Sequence, residues 1–101
     1  MGYLLLIRKL FEKNSIHFYK VFKDNNLYEI SYYIGLDEKN KKIYFFENEQ
    51  FTDPACIYDI NQQKFEMQDS QIFSLINGRV IAQAHQAFIK KDFPLSISWE
   101  S

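Results

Sequence analysis

His17 and His85 are the only histidines of this chain, and histidine is the side chain best suited to proton transfer near neutral pH. Two histidines acting as general acid and base beside a phosphate-binding cation would make a small nuclease, and Lys20 and Lys23 follow His17. In a strand, however, His17 and Lys20 would lie on opposite faces, and His85 falls on the polar flank of a predicted helix. Two ordinary surface histidines are therefore favoured, and a nuclease that uses His17 or His85 is the alternative.

Cys56 is the only cysteine, so it cannot form an internal disulfide, which fits a reducing compartment and predicts a cytoplasmic protein. Asp53 and Asp59 would disfavour its thiolate, so a half-buried structural cysteine is the favoured interpretation. Pairs of carboxylates lack His or Cys at ligand spacing, and the three glycines stand singly. The sequence therefore predicts no metal site, no cofactor and no enzymatic activity.

The charges are distributed unevenly, although the net charge is only −1. Residues 47–70 contain six acids and one base, whereas residues 1–46 contain eight bases and five acids. Such an acidic stretch is either a solvated loop or a docking surface for a basic protein, and it would repel nucleic acid phosphates. On the docking interpretation, the residues expected to contact a protein partner are Glu47, Glu49, Asp53, Tyr58 and Asp59.

Ten of the eighteen aromatic residues lie between Ile16 and Phe51. Together with the lysines of Lys39–Lys42 they could form a base-stacking platform, but no RNP-like motif is present and nucleic acid binding is not expected. Most of these rings are expected in the core. Tyrosines that a sheet cannot bury, such as Tyr33 or Tyr58, are the anchors that a protein interface favours.

Alternation of apolar and polar residues predicts an antiparallel meander. The clearest strand is Leu27–Leu36, joined to the strand before it by a hairpin turn at Asp24–Asn26. Residues 3–13 fit a strand or a helix, and we favour a strand, whereas Leu95–Trp99 fits a last edge strand or a strap across the core. The other strands are separated by links too short for parallel crossovers, and they are predicted at Ile16–Lys23, Lys42–Glu47 and Ala55–Ile60.

A helical period replaces this alternation after Asp69, and it predicts one long helix over Ser70–Lys91. Asn77-Gly78 is either a kink in that helix or a hairpin turn between two further strands. At 101 residues the chain is expected to form a single domain, residues 1–101. The predicted fold class is α+β, with an antiparallel β-meander of four to six strands packed against one long C-terminal helix.

The runs NNLYEISYYIGLD and KNKKIYFFENE are rich in Asn, Lys, Ile, Tyr and Phe, and the chain carries no catalytic set. In this general character it resembles the immunity proteins of bacterial toxin–immunity systems, including those of contact-dependent growth inhibition. The resemblance implies a cytoplasmic antidote that binds one cognate toxin domain and blocks its active site or substrate entry. Many such toxins are basic nucleases, which would match the acidic stretch.

The sequence thus favours a non-enzymatic module that binds a basic protein partner. An accessory or assembly subunit, whose aromatic sheet edge mediates oligomer formation, is a further alternative, so a homo-oligomer is possible. Membrane attachment is not expected, because the apolar run Tyr3–Ile7 is far shorter than the roughly 20 residues that a spanning helix needs.

Overall fold

The computed structural model describes residues 4–22, 30–48, 50–67 and 78–100. Within these residues, seven strands form one sheet and one helix, α1, spans Gly78–Lys90. Every pair of neighbouring strands is antiparallel. The strands are β1 Leu4–Lys13, β2 Ile16–Phe22, β3 Ile30–Asp37, β4 Lys42–Phe46, β5 Cys56–Asp59, β6 Lys64–Met67 and β7 Ser96–Glu100.

The order of strands across the sheet is β6-β5-β4-β3-β2-β1-β7. The first six strands therefore form the predicted meander, and the chain returns through α1 to place β7 beside β1. The prediction of an antiparallel sheet with a C-terminal helix is confirmed. The prediction of four to six strands is wrong, because β6 adds a strand that is largely exposed and therefore carries no apolar run in the sequence.

The predicted long helix is corrected to a short one of 13 residues in the described part of the chain. Residues 70–77 of the predicted range lie outside the described residues. Gly78 begins α1 and Val80 is helical, so a strand does not start there and the hairpin alternative is wrong. Val80, Ala84, Ala87 and Phe88 form the buried stripe that packs on the sheet, because residues three and four apart share one helix face.

The connections between elements follow local backbone chemistry. Asn14 and Ser15 both have positive φ, at 54° and 65°, as a two-residue hairpin between β1 and β2 requires. The predicted turn at Asp24–Asn26 lies outside the described residues, although β2 and β3 pair as that hairpin implied. After α1, Lys91 has φ 54°, and the Asp92 N–H donates to Ala87 O at 3.1 Å, which closes the helix as a Schellman motif.

Residues 92–95 cross the core before β7 begins at Ser96. The Tyr19 hydroxyl donates to Pro94 O at 2.9 Å, and the Lys9 N–H donates to Leu95 O at 2.7 Å. Of the two alternatives for Leu95–Trp99, the edge strand is the one observed, and the strap is formed by the residues before it.

The two faces of the sheet carry different clusters. The face under α1 holds the main core, and Cys56 lies within it at 0% exposure rather than half-buried. The opposite face, here called the distal face, holds a second cluster built on Phe18, Tyr33 and Phe46. Because side chains alternate along a strand, neighbours in sequence such as Phe18 and Tyr19 belong to different clusters.

Candidate functional site

The distal face carries a set of packed aromatic rings. Phe51, from the loop between β4 and β5, lies over the sheet with its ring centroid 4.7 Å from that of Phe18 and 5.2 Å from that of Phe46. Tyr33 meets it edge-to-face at 5.6 Å. Phe11 stacks on Phe18 at 4.7 Å and meets Phe51 edge-to-face at 5.6 Å. Offset and edge-to-face contacts of this kind add about 0.5–1.5 kcal/mol per pair beyond the area they bury.

Phe51 holds an unusual backbone conformation, with φ at 52°. The left-handed region costs a residue with a side chain roughly 1–2 kcal/mol, because Cβ approaches the following carbonyl oxygen. The aromatic contacts of its ring offset this cost. Such strained residues cluster where a surface has to be held in one shape.

A β-bulge directs Phe11 to this cluster. The pairing of β1 with β2 shifts between Lys9, opposite Tyr19, and Phe11, opposite Phe18, so Leu10 is an extra residue. Without the shift, Phe11 would share the α1 face with Ile7 and Lys9. Bulges commonly re-aim a side chain in this way. Period-two alternation cannot reveal a bulge, so no pattern in the sequence predicted that Phe11 lies beside Phe18.

The rings leave a groove of about 350 Å³ between β1, β2 and the β4–β5 loop. Phe11 is 44% exposed at its rim, and Phe51 is half-buried. The lining combines an aromatic floor with polar edges, and it consists of Phe11, Lys13, Asn14, Ile16, Phe18, Gln50 and Phe51. An apolar side chain of another molecule would lose water contact here while its polar neighbours meet the rim.

The predicted partner-binding residues divide into two groups. Glu47 and Asp53 are both exposed, and they lie before and after Phe51 in the β4–β5 loop. Glu49 lies outside the described residues. Glu47 and Asp53 thus belong to the loop that forms one wall of the groove.

Tyr58 and Asp59 lie in β5, and both side chains make contacts within the protein. Tyr58 is half-buried against the main core, with its ring 5.1 Å from that of Phe65. Asp59 is only 8% exposed, and its Oδ1 accepts a hydrogen bond from the Gln62 N–H at 2.9 Å. That backbone hydrogen bond is the main reason why the pKa of Asp59 is lowered. Tyr33, expected to stay accessible, is also buried, at 8% exposure.

Further charges of the acidic stretch are neutralised within the chain. Glu66 Oε1 lies 2.9 Å from Lys42 Nζ, and this hydrogen-bonded contact raises the pKa of Lys42. Asp69 lies outside the described residues. The acids of this stretch that the structure describes as exposed and away from a basic partner are thus Glu47 and Asp53, on the groove loop.

Asp37 is a buried carboxylate on the distal face that the sequence did not single out. It is 2% exposed, and it accepts hydrogen bonds from the Asn40 N–H at 3.0 Å and the Tyr44 hydroxyl at 2.8 Å. Burial alone would raise the pKa of Asp37, but the hydrogen bonds outweigh it and the pKa is lowered. Burial and the bond to Asp37 raise the pKa of Tyr44 to about 12.

His17 is a buried residue, and its prediction as a surface histidine is wrong. It is 5% exposed, and its ring stacks on Phe93 with centroids 3.9 Å apart and planes inclined by 2°. Its Nδ1 lies 2.9 Å from Lys9 Nζ and 3.2 Å from Glu12 Oε1, and its Nε2 lies 3.1 Å from Glu38 Oε1. The strap that carries Phe93 covers the ring, and no sequence pattern indicated that cover.

His85 lies half-buried on α1 and is not among the groups that contact His17. A two-histidine mechanism needs both rings at one substrate, so this arrangement gives it little support. In the described ranges, no three His, Cys, Asp or Glu residues are grouped so as to hold a metal ion. The same ranges contain no helix with the length and apolarity needed to cross a membrane.

A scan against protein-family models, a search of curated proteins and a search of solved structures each found no match to this chain.

Proposed function

We propose that this protein is a non-enzymatic binding module, and that it acts as a cytoplasmic immunity protein which neutralises a cognate toxin domain. The observation that carries the proposal is the aromatic groove of the distal face, with Phe11 44% exposed and Phe51 in a strained conformation. An exposed aromatic ring beside a fixed apolar groove is the feature that dominates the energy of many protein interfaces.

The exposed acids of the β4–β5 loop indicate what kind of protein the partner would be. Glu47 and Asp53 project from the loop that carries Phe51, and Glu49 between them in sequence stays part of the proposed surface. Exposed carboxylates on the loop that forms one wall of the groove favour a partner with a basic surface, because complementary charge speeds encounter. A basic toxin domain fits this requirement. Tyr58 and Asp59 are left out of the proposed surface, since both already have contacts within the chain.

The resemblance to immunity proteins supplies the biological role. Such a protein would bind the toxin domain through the groove and block its active site or substrate entry. The resemblance implies that the candidate partner is the C-terminal domain of a large secreted protein, and the gene immediately upstream is the first place to look for it.

Protection from that domain tests the proposal. Cells expressing the toxin domain should grow when the wild-type protein is co-expressed. The variants Glu47→Lys and Asp53→Lys should protect less well, because each places a positive charge against a basic partner. Asp92→Lys is the matched control, since Asp92 is an equally exposed acid next to α1. Equal protection by all variants, or toxicity that the wild-type protein does not relieve, would contradict the proposal.

A further inference from the structure

A row of polar side chains crosses three strands at the β7 end of the distal face. Arg8 on β1 lies opposite Lys20 on β2 and, on its other side, opposite Ser96 on β7. Their neighbours in the same pairings, Ile7 and Ile97, pack in the core under α1. Because side chains alternate between faces, Arg8, Lys20 and Ser96 all lie on the distal face.

The two cations of this row repel each other. Residues directly opposite on one face have Cβ atoms about 4.5–5.5 Å apart, and like charges in such a pair are destabilising. Among the residues that the structure describes, neither Arg8 nor Lys20 forms an ion pair with an acid. Arg8 and Ser96 are exposed and Lys20 is half-buried, so the row is open to a ligand. The chain thus keeps two adjacent positive charges without neutralising them within these residues.

We propose that Arg8, Lys20 and Ser96 form a binding site for a phosphoryl group. The guanidinium fork and the ammonium group would each contact a phosphate oxygen, and the serine hydroxyl would donate to a third. A phosphoryl group carries a charge of about −1.5 to −2 and three acceptor oxygens, which matches two cations and a hydroxyl. A carboxylate offers one charge and two oxygens, so it matches the row less well. This site is separate from the groove and does not depend on the proposed partner.

Phosphate binding can be measured on the protein alone. We expect inorganic phosphate, titrated into ¹⁵N-labelled protein at constant ionic strength, to give saturable shifts at the amides of Arg8, Lys20 and Ser96. Acetate should bind about fivefold more weakly, since it has fewer charges and oxygens. A parallel titration with O-phosphoserine distinguishes the sources: tighter binding than inorganic phosphate indicates a phosphate ester as the natural ligand, and weaker binding indicates the free ion.

Neutral variants locate the site. Arg8→Gln and Lys20→Gln should each weaken phosphate binding by about tenfold, because each removes a charge-assisted hydrogen bond. Lys90→Gln is the matched control, since Lys90 is an exposed cation at the end of α1. Shifts of equal size with acetate, shifts spread over all lysines, or an equal loss in the Lys90 variant would overturn the proposal.

A second measurement uses the repulsion itself. Arg8→Glu should raise the Tm in phosphate-free buffer by about 2–5 °C, because an opposite-charge pair replaces a like-charge pair across the strands. Added phosphate should raise the Tm of the wild-type protein and not that of this variant. A variant with a lowered Tm that still responds to phosphate would count against the site.

Discussion

Phe51 determines the shape of the distal face at the scale of single residues. Its ring contacts Phe18, Tyr33 and Phe46, and its backbone is held in a region that glycine tolerates better than any other residue. Nothing in the stretch ENEQFTDP indicated this conformation, since a lone aromatic residue between polar ones reads as a loop. The acids on either side were singled out from charge alone.

Substitutions at Phe51 separate the strain from the packing. Phe51→Ala should lower the free energy of unfolding by about 1–3 kcal/mol through lost ring contacts. Phe51→Gly loses the same ring contacts, but glycine relieves the left-handed strain. The glycine variant should therefore be more stable than the alanine variant by about 0.5–1 kcal/mol. Urea unfolding measures both. An alanine variant as stable as the glycine variant or more so would contradict the backbone assignment.

Asp37 is the residue whose titration should be visible in stability. Its pKa is lowered in the folded state, so its contribution is fully present above the unfolded-state pKa of about 3.9 and is lost as the pH falls through the folded-state value. Asp37→Asn should cost about 1–2 kcal/mol at pH 7, since hydrogen bonds to a charge are replaced by weaker ones.

The difference between wild type and Asp37→Asn should shrink as the pH is lowered below about 4. Urea unfolding at a series of pH values measures it. Asp53→Asn is the matched control, because Asp53 is exposed, and its effect should stay within about 0.5 kcal/mol. If the loss of unfolding free energy in Asp37→Asn did not change with pH, the charge of Asp37 would not be what makes its hydrogen bonds stabilising.

At the scale of elements, the strongest periodic signals were the reliable ones. The alternation ending at Leu36 and the stripe from Val80 to Phe88 correspond to described elements. The N-terminal segment fitted a strand or a helix, and its described part, Leu4–Lys13, is the favoured strand. The features that the sequence analysis did not predict have physical causes. β6 is largely exposed and carries no apolar run, and the bulge at Leu10 reverses the faces of β1 within one strand. Burial of His17 depends on the strap, a long-range contact that local pattern cannot report.

The C-terminal cap of α1 contains a residue in the left-handed conformation. Lys91 adopts φ 54° at the position where helices usually place glycine. Lys91→Gly should therefore raise the free energy of unfolding by about 0.5–1 kcal/mol. Gln86→Gly, at an exposed position inside the helix, should instead lower it by about 1 kcal/mol. Thermal unfolding distinguishes the two, and a Lys91 variant that is destabilised like the Gln86 variant would refute the cap.

At the scale of the whole molecule, the acidic stretch does not act as one surface. Asp59 caps a turn and Glu66 pairs with Lys42, whereas Glu47 and Asp53 remain exposed on the β4–β5 loop. Of the described acids predicted to contact a partner, Glu47 and Asp53 are exposed on one loop and Asp59 is buried, so the exposed part of the stretch is smaller than the charge count implied. Which side chains face inward depends on strand register, and counting charged residues along the sequence does not reveal that register. The distal face as a whole carries a cationic row near β7 and an aromatic groove that the β4–β5 loop lines on one side.

Calorimetric titration of the candidate toxin domain into matched truncation variants tests the groove most directly. Phe11 is 44% exposed on the distal face, and Ile89 is 63% exposed on α1. Phe11→Ala should raise the Kd by about tenfold or more, since anchors of this kind contribute at least 1–2 kcal/mol, while Ile89→Ala should leave the Kd unchanged. A Phe11 variant that binds as tightly as the wild-type protein, or an Ile89 variant that loses binding, would show that the groove is not the binding surface.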